Sequence, residues 1–435
     1  MNRRDFMKVT SAGLVAGSLA PTSARSSMAR NKFPQKFNMP YADEGELVFS
    51  AEEYKRRYSN IQAAMEEQGL DCLIITGNEG WYQGEAANLR YVMGAGIRLD
   101  PNFVVFPVKG EPVLLYKTSP VLQRTPDIGD MPLALEPSPV RAHTNRPDWI
   151  PTLVKLVKKM GYAKAKIGLV SERYFPADAY RTLQQNYPHA TLVDAEQLMT
   201  DLRVVKSEEE LKFLRRSGYC ADAGIAGLIH AVEPGITEQE LYYAADEAMA
   251  MAGGTPGGFH LFRTGPWKDF RSPPNVPNLE KTRYRKLKEG DVVMNELTSE
   301  YNGYFTQLAI PIVIGEPDPD FLKFIEVNKA MYDVQFEAFK TGATIGEVDK
   351  LGGGIASRLS NGKMGSKFAC QTIDFEQSFW HTSPTLKPGI SYVLMPWIHY
   401  NEPGHFSGHA WGNTLVCTDG SPEVLNQSPM GAVII

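Results

Sequence analysis

The feature that most limits what this 435-residue chain can fold into is an internal repeat. A long helical stretch, "EEELKFLRRSGYCADAGIAGLIHAV", opens where Ser207 and Glu210 have the spacing of a capping box, and it breaks at Pro234 and Gly235. Thr237 and Glu240 then cap a second helix, "EQELYYAADEAMAMAGG". About 107 residues later the plan returns as "FLKFIEVNKAMYDVQFEAFK", a glycine turn at "TGAT", and "IGEVDKLGGGIASRLSN". Strand-like runs follow each helix pair, at 292–297 and 304–313 in the first half and at 391–398 and 414–417 in the second. Two such halves imply a pseudo-twofold domain over 204–435, with a curved sheet covered by helices on one side. The open face between the halves is then the expected site.

Earlier in the chain the order of elements differs. Ser50 and Glu53 read as a capping box, and Gly69 as the stop, for the helix in "SAEEYKRRYSNIQAAMEEQG". Strand-like "DCLIIT", "NFVVFPV" and "PVLLY" follow. A helix in "WIPTLVKLVKKMG", a strand "KIGLV", a helix "YRTLQQNY" and a strand "ATLVDA" complete an alternating α/β domain over 46–203. Polar, Pro-containing 31–45 reads as a linker. Ahead of it, "NRRDFMKVTSAGLVAGSLAPTSA" joins Arg3 and Arg4 to a mildly apolar run and a small-residue stretch suited to cleavage, so 1–30 reads as a twin-arginine export signal. The expected location is the periplasm, or otherwise outside the cell by that route; the competing reading is a chance arginine pair.

A net charge of -5 and the absence of long Lys or Arg runs give no electrostatic footprint for nucleic acid, which leaves a small-molecule substrate as the expected partner. No apolar segment reaches about 18 residues, so no membrane span is expected. Cys72, Cys220, Cys370 and Cys417 lie far apart beside apolar segments, without metal-ligand spacing, and read as buried thiols.

Several segments carry a family resemblance: "FSAEEYKRRYSNIQAAMEEQGLDCLIIT", "LRVVKSEEELKFLRRSGYCAD", "EGDVV", "EYNGYFTQ", "HTSP", "LKPGISYVLMP" and "NTLVCTDG". In their order and spacing the chain resembles the creatinase, prolidase and aminopeptidase P family. The resemblance implies an α+β protein, an N-terminal α/β creatinase-like domain followed by a pseudo-twofold pita-bread domain, and a homodimer. The family's peptidases bind two metal ions through two Asp, one His and two Glu, a set that can generate hydroxide and polarise a carbonyl. Carried over by spacing, the Asp positions fall on Glu296 and Gln307, and the His position on Asp374. The two Glu positions fall on Met395 and Gly412. None of the five is retained, so the expectation is no metal and no cofactor. The creatinase branch resembles this chain in "YFTQL", but its catalytic His position falls on Ser272.

Other residues can still do acid/base chemistry. His381, the second His position of the motif read as "HTSP", and Glu296 are the candidate pair. The segment "WIHYNEPGHFSGHAWGN" brings His399, Glu402, His405 and His409 together between Trp397 and Trp411, as a replacement acid/base set, a new imidazole metal site, or an exposed polar loop. Around "GPWKDFRSPP", Arg271 or Lys268 can pair with a substrate carboxylate, and Ser272 stands in a turn. Tyr304, Gln307, Asp374, Trp397 and Glu402 complete the expected substrate contacts. The expected function is metal-independent, creatinase-like hydrolysis of a C–N or related bond in a small polar metabolite. The alternatives are a non-catalytic binder of a ligand or peptide, a lyase, and an Xaa-Pro metallopeptidase with a rearranged site.

Overall fold

A computed structural model describes residues 27–77, 87–93, 102–115, 141–143, 149–170, 175–255, 260–270, 284–366, 370–371, 385–402 and 406–435. Arg271, Ser272, Asp374, His381, His405 and the export-signal residues 1–26 lie outside them. The chain divides into two compact units, one holding Glu46–Glu209, the other holding the segment up to Gly45 and most of the chain from Glu210.

In the first unit, helix α1 (Ala51–Gln68) begins and ends where its signals stand. The Glu53 amide donates to the Ser50 hydroxyl at 3.1 Å, and Gly69 closes the helix at φ 63°. The carboxylate expected to complete the capping box is used elsewhere. Glu53 accepts from Arg56 and from the fully buried Arg57, whose guanidinium lies 4.1 Å from the Phe49 ring centroid and 4.5 Å from that of Tyr91. Glu209 takes its place, receiving the Ser50 amide at 2.8 Å and its hydroxyl at 2.6 Å.

The expected strands form β2 (Cys72–Gly77), β3 (Asn102–Pro107), β4 (Val113–Leu115), β6 (Lys166–Val170) and β7 (Thr191–Asp194), joined by β5 (Arg141–His143). They make one sheet in the order β5-β4-β3-β2-β6-β7. Helices α3 (Trp149–Lys159) and α4 (Ala177–Asn186) fall where expected; α2 (Ala87–Met93) and α5 (Glu196–Arg203) are additions. Leu153, Val157 and Leu183 cover the sheet residues Ile74, Val105, Ile167 and Leu169.

The second unit realises the repeat. Helices α6 (Glu208–Ala231) and α7 (Glu238–Met251) precede β8 (His260–Pro266), β9 (Asp291–Tyr301), β10 (Tyr304–Ala309) and β11 (Ile312–Val313). Helices α8 (Pro319–Ala338) and α9 (Ile345–Leu359) precede β12 (Met364–Ser366), β13 (Cys370–Gln371), β14 (Ser391–Leu394), β15 (Ile398–Tyr400), β16 (Ser407–Gly408) and β17 (Gly412–Val416). Full capping boxes open α7 at Thr237 and Glu240 and α9 at Thr344 and Glu347, and both capping threonines make an isolated antiparallel bridge, to Lys286 and to Thr385. The halves meet where β10 pairs antiparallel with β17.

Strands β1 (Ser27–Ala29), β18 (Glu423–Val424) and β19 (Ala432–Ile434) complete a sheet ordered β1-β19-β11-β9-β10-β17-β14-β13, with β8 on β9 and β18 on β17. A smaller sheet has the order β12-β15-β16.

Two expectations for the N-terminal segment are corrected. Residues 27–30, counted with the export signal, belong to the fold: β1 pairs with β19, and the Arg30 guanidinium donates to the Val232 carbonyl. Residues 31–45 are not a free connector. Phe33 is buried among Ala221, Ile225 and Leu228, and two arginines of α6 hold the rest. Arg216 donates to the carbonyls of Tyr41 and Gly45, and Arg215 to the Tyr41 hydroxyl while forking onto Glu423 at 2.6 and 2.9 Å. Composition reads such a segment as a linker because its anchors lie on a distant helix.

Cys72, Cys220 and Cys417 are buried thiols, in agreement with the sequence reading. Among the described residues no helix is long and apolar enough to cross a membrane.

Asp222 on α6 is fully buried and accepts the amides of Gln427 and Ser428 at 2.7 and 2.8 Å and the Ser428 hydroxyl at 2.5 Å. Burial pushes its carboxyl up to about 7, against the pull of those three donors. Because that value lies above the unfolded one of about 3.9, the associated stability is full below about pH 4 and is lost as pH rises through 7. Thermal melts from pH 4 to 8 are expected to show the wild-type chain losing stability relative to Asp222→Asn, by up to about 1.4 kcal/mol per pH unit. Parallel curves would mean that the three donors keep the carboxylate ionised throughout.

Candidate active site

The site is built on the β9–β10 hairpin. Asn302 and Gly303, at φ 49° and 87°, make the two-residue turn, so Gln307 lies opposite Thr298 and Leu308 opposite Leu297. Side chains alternate between the faces of each strand. Val293 and Leu297 pack into the core with Ile225, Leu228 and Leu241 of the helices, and Asn295 exchanges two hydrogen bonds with the Ile310 backbone, at 2.6 and 3.2 Å. Glu296 and Thr298 are therefore turned to the other face.

There Glu296 meets a histidine. Its Oε1 lies 2.5 Å from His409 Nε2, and the two side chains are only 6% and 4% exposed. The contact is shorter than an ordinary charged hydrogen bond, and the carboxylate lies off the axis on which the ring N–H donates. A carboxylate and an imidazole thus stand in contact in a buried setting, the kind of pairing that general acid/base chemistry uses. The Trp397 ring stands 5.7 Å from the imidazole, held by its own indole N–H donating to the Ser407 hydroxyl at 2.9 Å.

Gln307, on the same face of β10, donates its side-chain amide to Thr298 at 3.0 Å, while its backbone exchanges hydrogen bonds with the Thr414 hydroxyl. Tyr304 is a correction. The pleat turns it with Thr306 toward the helices, where its hydroxyl donates to Glu210 at 2.9 Å and its ring lies 5.4 Å from Phe213. It anchors α6 instead of lining the open face.

His399 stands on the three-stranded sheet, opposite Gly365 and Ser407, and not on the larger sheet that carries Glu296. Its ring occupies the space over Gly365, where a Cβ would come within 2.8 Å of Cε1 and Nε2. Glu402 is exposed in the bend beyond β15. The described part of the loop is not an exposed polar one. Phe406, His409, Ala410 and Trp411 are buried, and Trp411 stacks on Tyr332 of α8 at 5.2 Å. Trp267 is likewise core, within 5.1 Å of Phe321, Phe324 and Phe406, while the adjacent Lys268 is exposed.

The other two described positions of the expected ligand set, Met395 and Gly412, are filled by packing. Met395 is buried against Ala309 and Val393. A Cβ on Gly412 would fall 2.2 Å from the Leu394 carbonyl oxygen and 2.3 Å from Met395 Cγ, so the backbone before it and the Met395 side chain occupy what a side chain at 412 would need. Among the described residues, no group of three or more His, Cys, Asp and Glu stands where it could hold a metal ion. The sequence named both Glu296 and His409 but not their pairing, because the loop's return over β9 has no local signature.

A helix-covered sheet built from two like halves, with its polar pairs on the other face, defines the pita-bread class of protein. The match extends to whole families: Metallopeptidase family M24 over residues 212–419 and the Creatinase/Prolidase N-terminal domain over residues 57–205. The chain belongs to the creatinase/prolidase/M24 family. It is 24% identical to creatinase of Bacillus sp. over 413 residues, which are 88% of this chain and 93% of that one. It is 21% identical to ectoine hydrolase of Halomonas elongata, covering 88% of this chain and 97% of the relative. The solved prolidase of Pyrococcus horikoshii superposes with a TM-score of 0.68 at 19% identity, over 86% of this chain and 99% of that one.

The packing of Met395 onto Gly412 can be measured. Gly412→Ala is expected to destabilise by about 1–3 kcal/mol in urea unfolding, with the Met395→Ala double variant losing less than the sum of the single losses. Additive losses would show that the two residues do not share the space.

Proposed function

We propose that this family member is a hydrolase that cleaves a C–N or related bond of a small polar molecule without the two-metal centre. The observation that carries the reading is the buried Glu296–His409 pair at 2.5 Å, in which one expected ligand position is already committed to an imidazole. The donor chemistry of the other described positions agrees: an amide held by Thr298, a soft thioether, and a glycine with no room for a carboxylate. These residues do not fit a two-ion site. Relatives named creatinase and ectoine hydrolase support hydrolysis of a small molecule on this scaffold.

In this reading, the pair takes a proton from water as its oxygen bonds to the carbon of the scissile bond. The same proton returns to the nitrogen as the C–N bond breaks, so the pair ends the turnover in its starting state. Trp397 closes one side of the imidazole and limits its contact with solvent. The expected second histidine, His381, extends the proposal as a further acid or base. The N-terminal arginine pair and small-residue run support export, and the family resemblance supports a homodimer.

The filled ligand positions also favour a second reading, a non-catalytic binder. One experiment separates them. Creatine, ectoine and an Xaa-Pro dipeptide are offered to chelator-treated protein, and turnover and affinity are compared with those of Glu296→Gln and His409→Ala. The proposal expects turnover that survives chelation and falls about 10²–10⁴-fold in either variant. Turnover lost on chelation and restored by a divalent metal would overturn metal independence. Binding without turnover in the wild-type protein would favour the binder.

A further inference from the structure

The large sheet of the second unit carries very little positive charge. Among the described residues its ten strands hold one Lys or Arg, which is Arg263 on β8. Register fixes the face on which it stands. Leu261 pairs with Glu296 and Arg263 with Met294, and residues opposite one another in an antiparallel pair share a face. The residues on either side agree: Phe262 packs into the helix-side core, and Thr264 donates its hydroxyl to Glu238 of α7. Arg263 is therefore turned with Leu261 to the face of Glu296. It stands one diagonal step from that carboxylate, a separation of about 7–8 Å that a long side chain spans.

Its surroundings suit a cation that meets an anion from outside the protein. The next positions on its face, Leu261, Gly265 and Met294, are uncharged, and Glu296 is already in contact with His409. The Arg263 guanidinium lies 5.5 Å from the ring centroid of Phe270, and that ring lies 6.4 Å from Phe406 in the loop that carries His409. A ring contact of this kind uses the charge of a guanidinium, not its N–H groups. With five donors, the fork can keep contacts within the protein and still present two N–H groups to a carboxylate. Arg263 is half-buried, whereas Glu296 and His409 are buried, so the cation stands on the more open side of the pair. We propose that Arg263 is the anion subsite of this face and holds the carboxylate of a small anionic or zwitterionic substrate, with the bond to be cleaved directed toward Glu296 and His409. The inference rests on reading this face as the substrate site, but not on metal independence.

Binding is the test. It is read by calorimetry in the wild-type protein and in Glu296→Gln, which is expected to bind without consuming the probe. The probes are creatine, ectoine, Gly-Pro and N-acetylglycine, each beside the amide of its carboxyl group. At least one acid is expected to bind, with its amide weaker by about 10–100-fold. Arg263→Gln is expected to weaken the acid to the level of the amide. Arg263→Lys, which keeps the charge but not the fork, is expected to retain only part of the preference, and it decides the matter if Arg263→Gln does not fold. Binding of no acid by the wild-type protein, equal binding of acid and amide, or a full preference in either variant overturns the subsite. Turnover lost on chelation would overturn the metal-free reading and leave the subsite standing. Metal-free turnover with no acid preference would do the reverse.

Discussion

A strand buried on both faces has to find partners for the charged and amide groups it carries, and that constraint organises the second unit. All of β9 is buried, yet it holds Asp291, Asn295, Glu296 and Thr298. Unpaired, each would cost a few kcal/mol or more. Each partner ties β9 to a different part of the unit: Arg285 forks onto Asp291, Ile310 closes on Asn295, Gln307 donates to Thr298, and His409 lies against Glu296. The first three are neutral or oppositely charged pairs with aligned hydrogen bonds. The fourth is a titratable pair in poor alignment, and it is where stability gains least from the geometry.

That difference separates a site from a scaffold. A buried ion pair recovers its desolvation only with good geometry and further hydrogen bonds. Glu296 and His409 approach to 2.5 Å without alignment, and a tilted Trp397 ring flanks the imidazole. Apolar residues would satisfy the packing at lower cost, as Val293 and Leu297 do on the other face. A carboxylate–imidazole pair held against that cost supports the acid/base role proposed for it.

How much was legible follows the range of the interactions. Caps, turns and pleats act within a few residues, so the repeated capping boxes, the Asn302–Gly303 turn and the alternation along β9 could be read directly. Local signals also misled where a distant group intervened. Glu53 has capping-box spacing but serves Arg57, and Glu209 returns to Ser50 in its place. Tyr304 sits beside the site in sequence, yet the pleat carries it to Glu210. The 31–45 segment looks like a linker because Arg215 and Arg216, which hold it, are far along the chain. The partner of Glu296 was obscured in the same way, since three loop histidines are equivalent in sequence until the loop is folded.

Met395 and Gly412 show why the altered ligand positions have to be considered together. Taken singly, a thioether or a missing side chain only weakens a metal site. In space the two are neighbours: a Cβ at 412 would lie 2.2 Å from the Leu394 carbonyl oxygen and 2.3 Å from Met395 Cγ, so the backbone at 394–395 and the Met395 side chain together leave room there only for glycine. Restoring one carboxylate therefore meets steric overlap before it meets metal. With Glu296 turned to His409 and Gln307 to Thr298, the four described positions form contacts that satisfy one another. An ion placed among them would have to break two polar pairs and displace a packed side chain, which is in keeping with the metal-free reading proposed for this face.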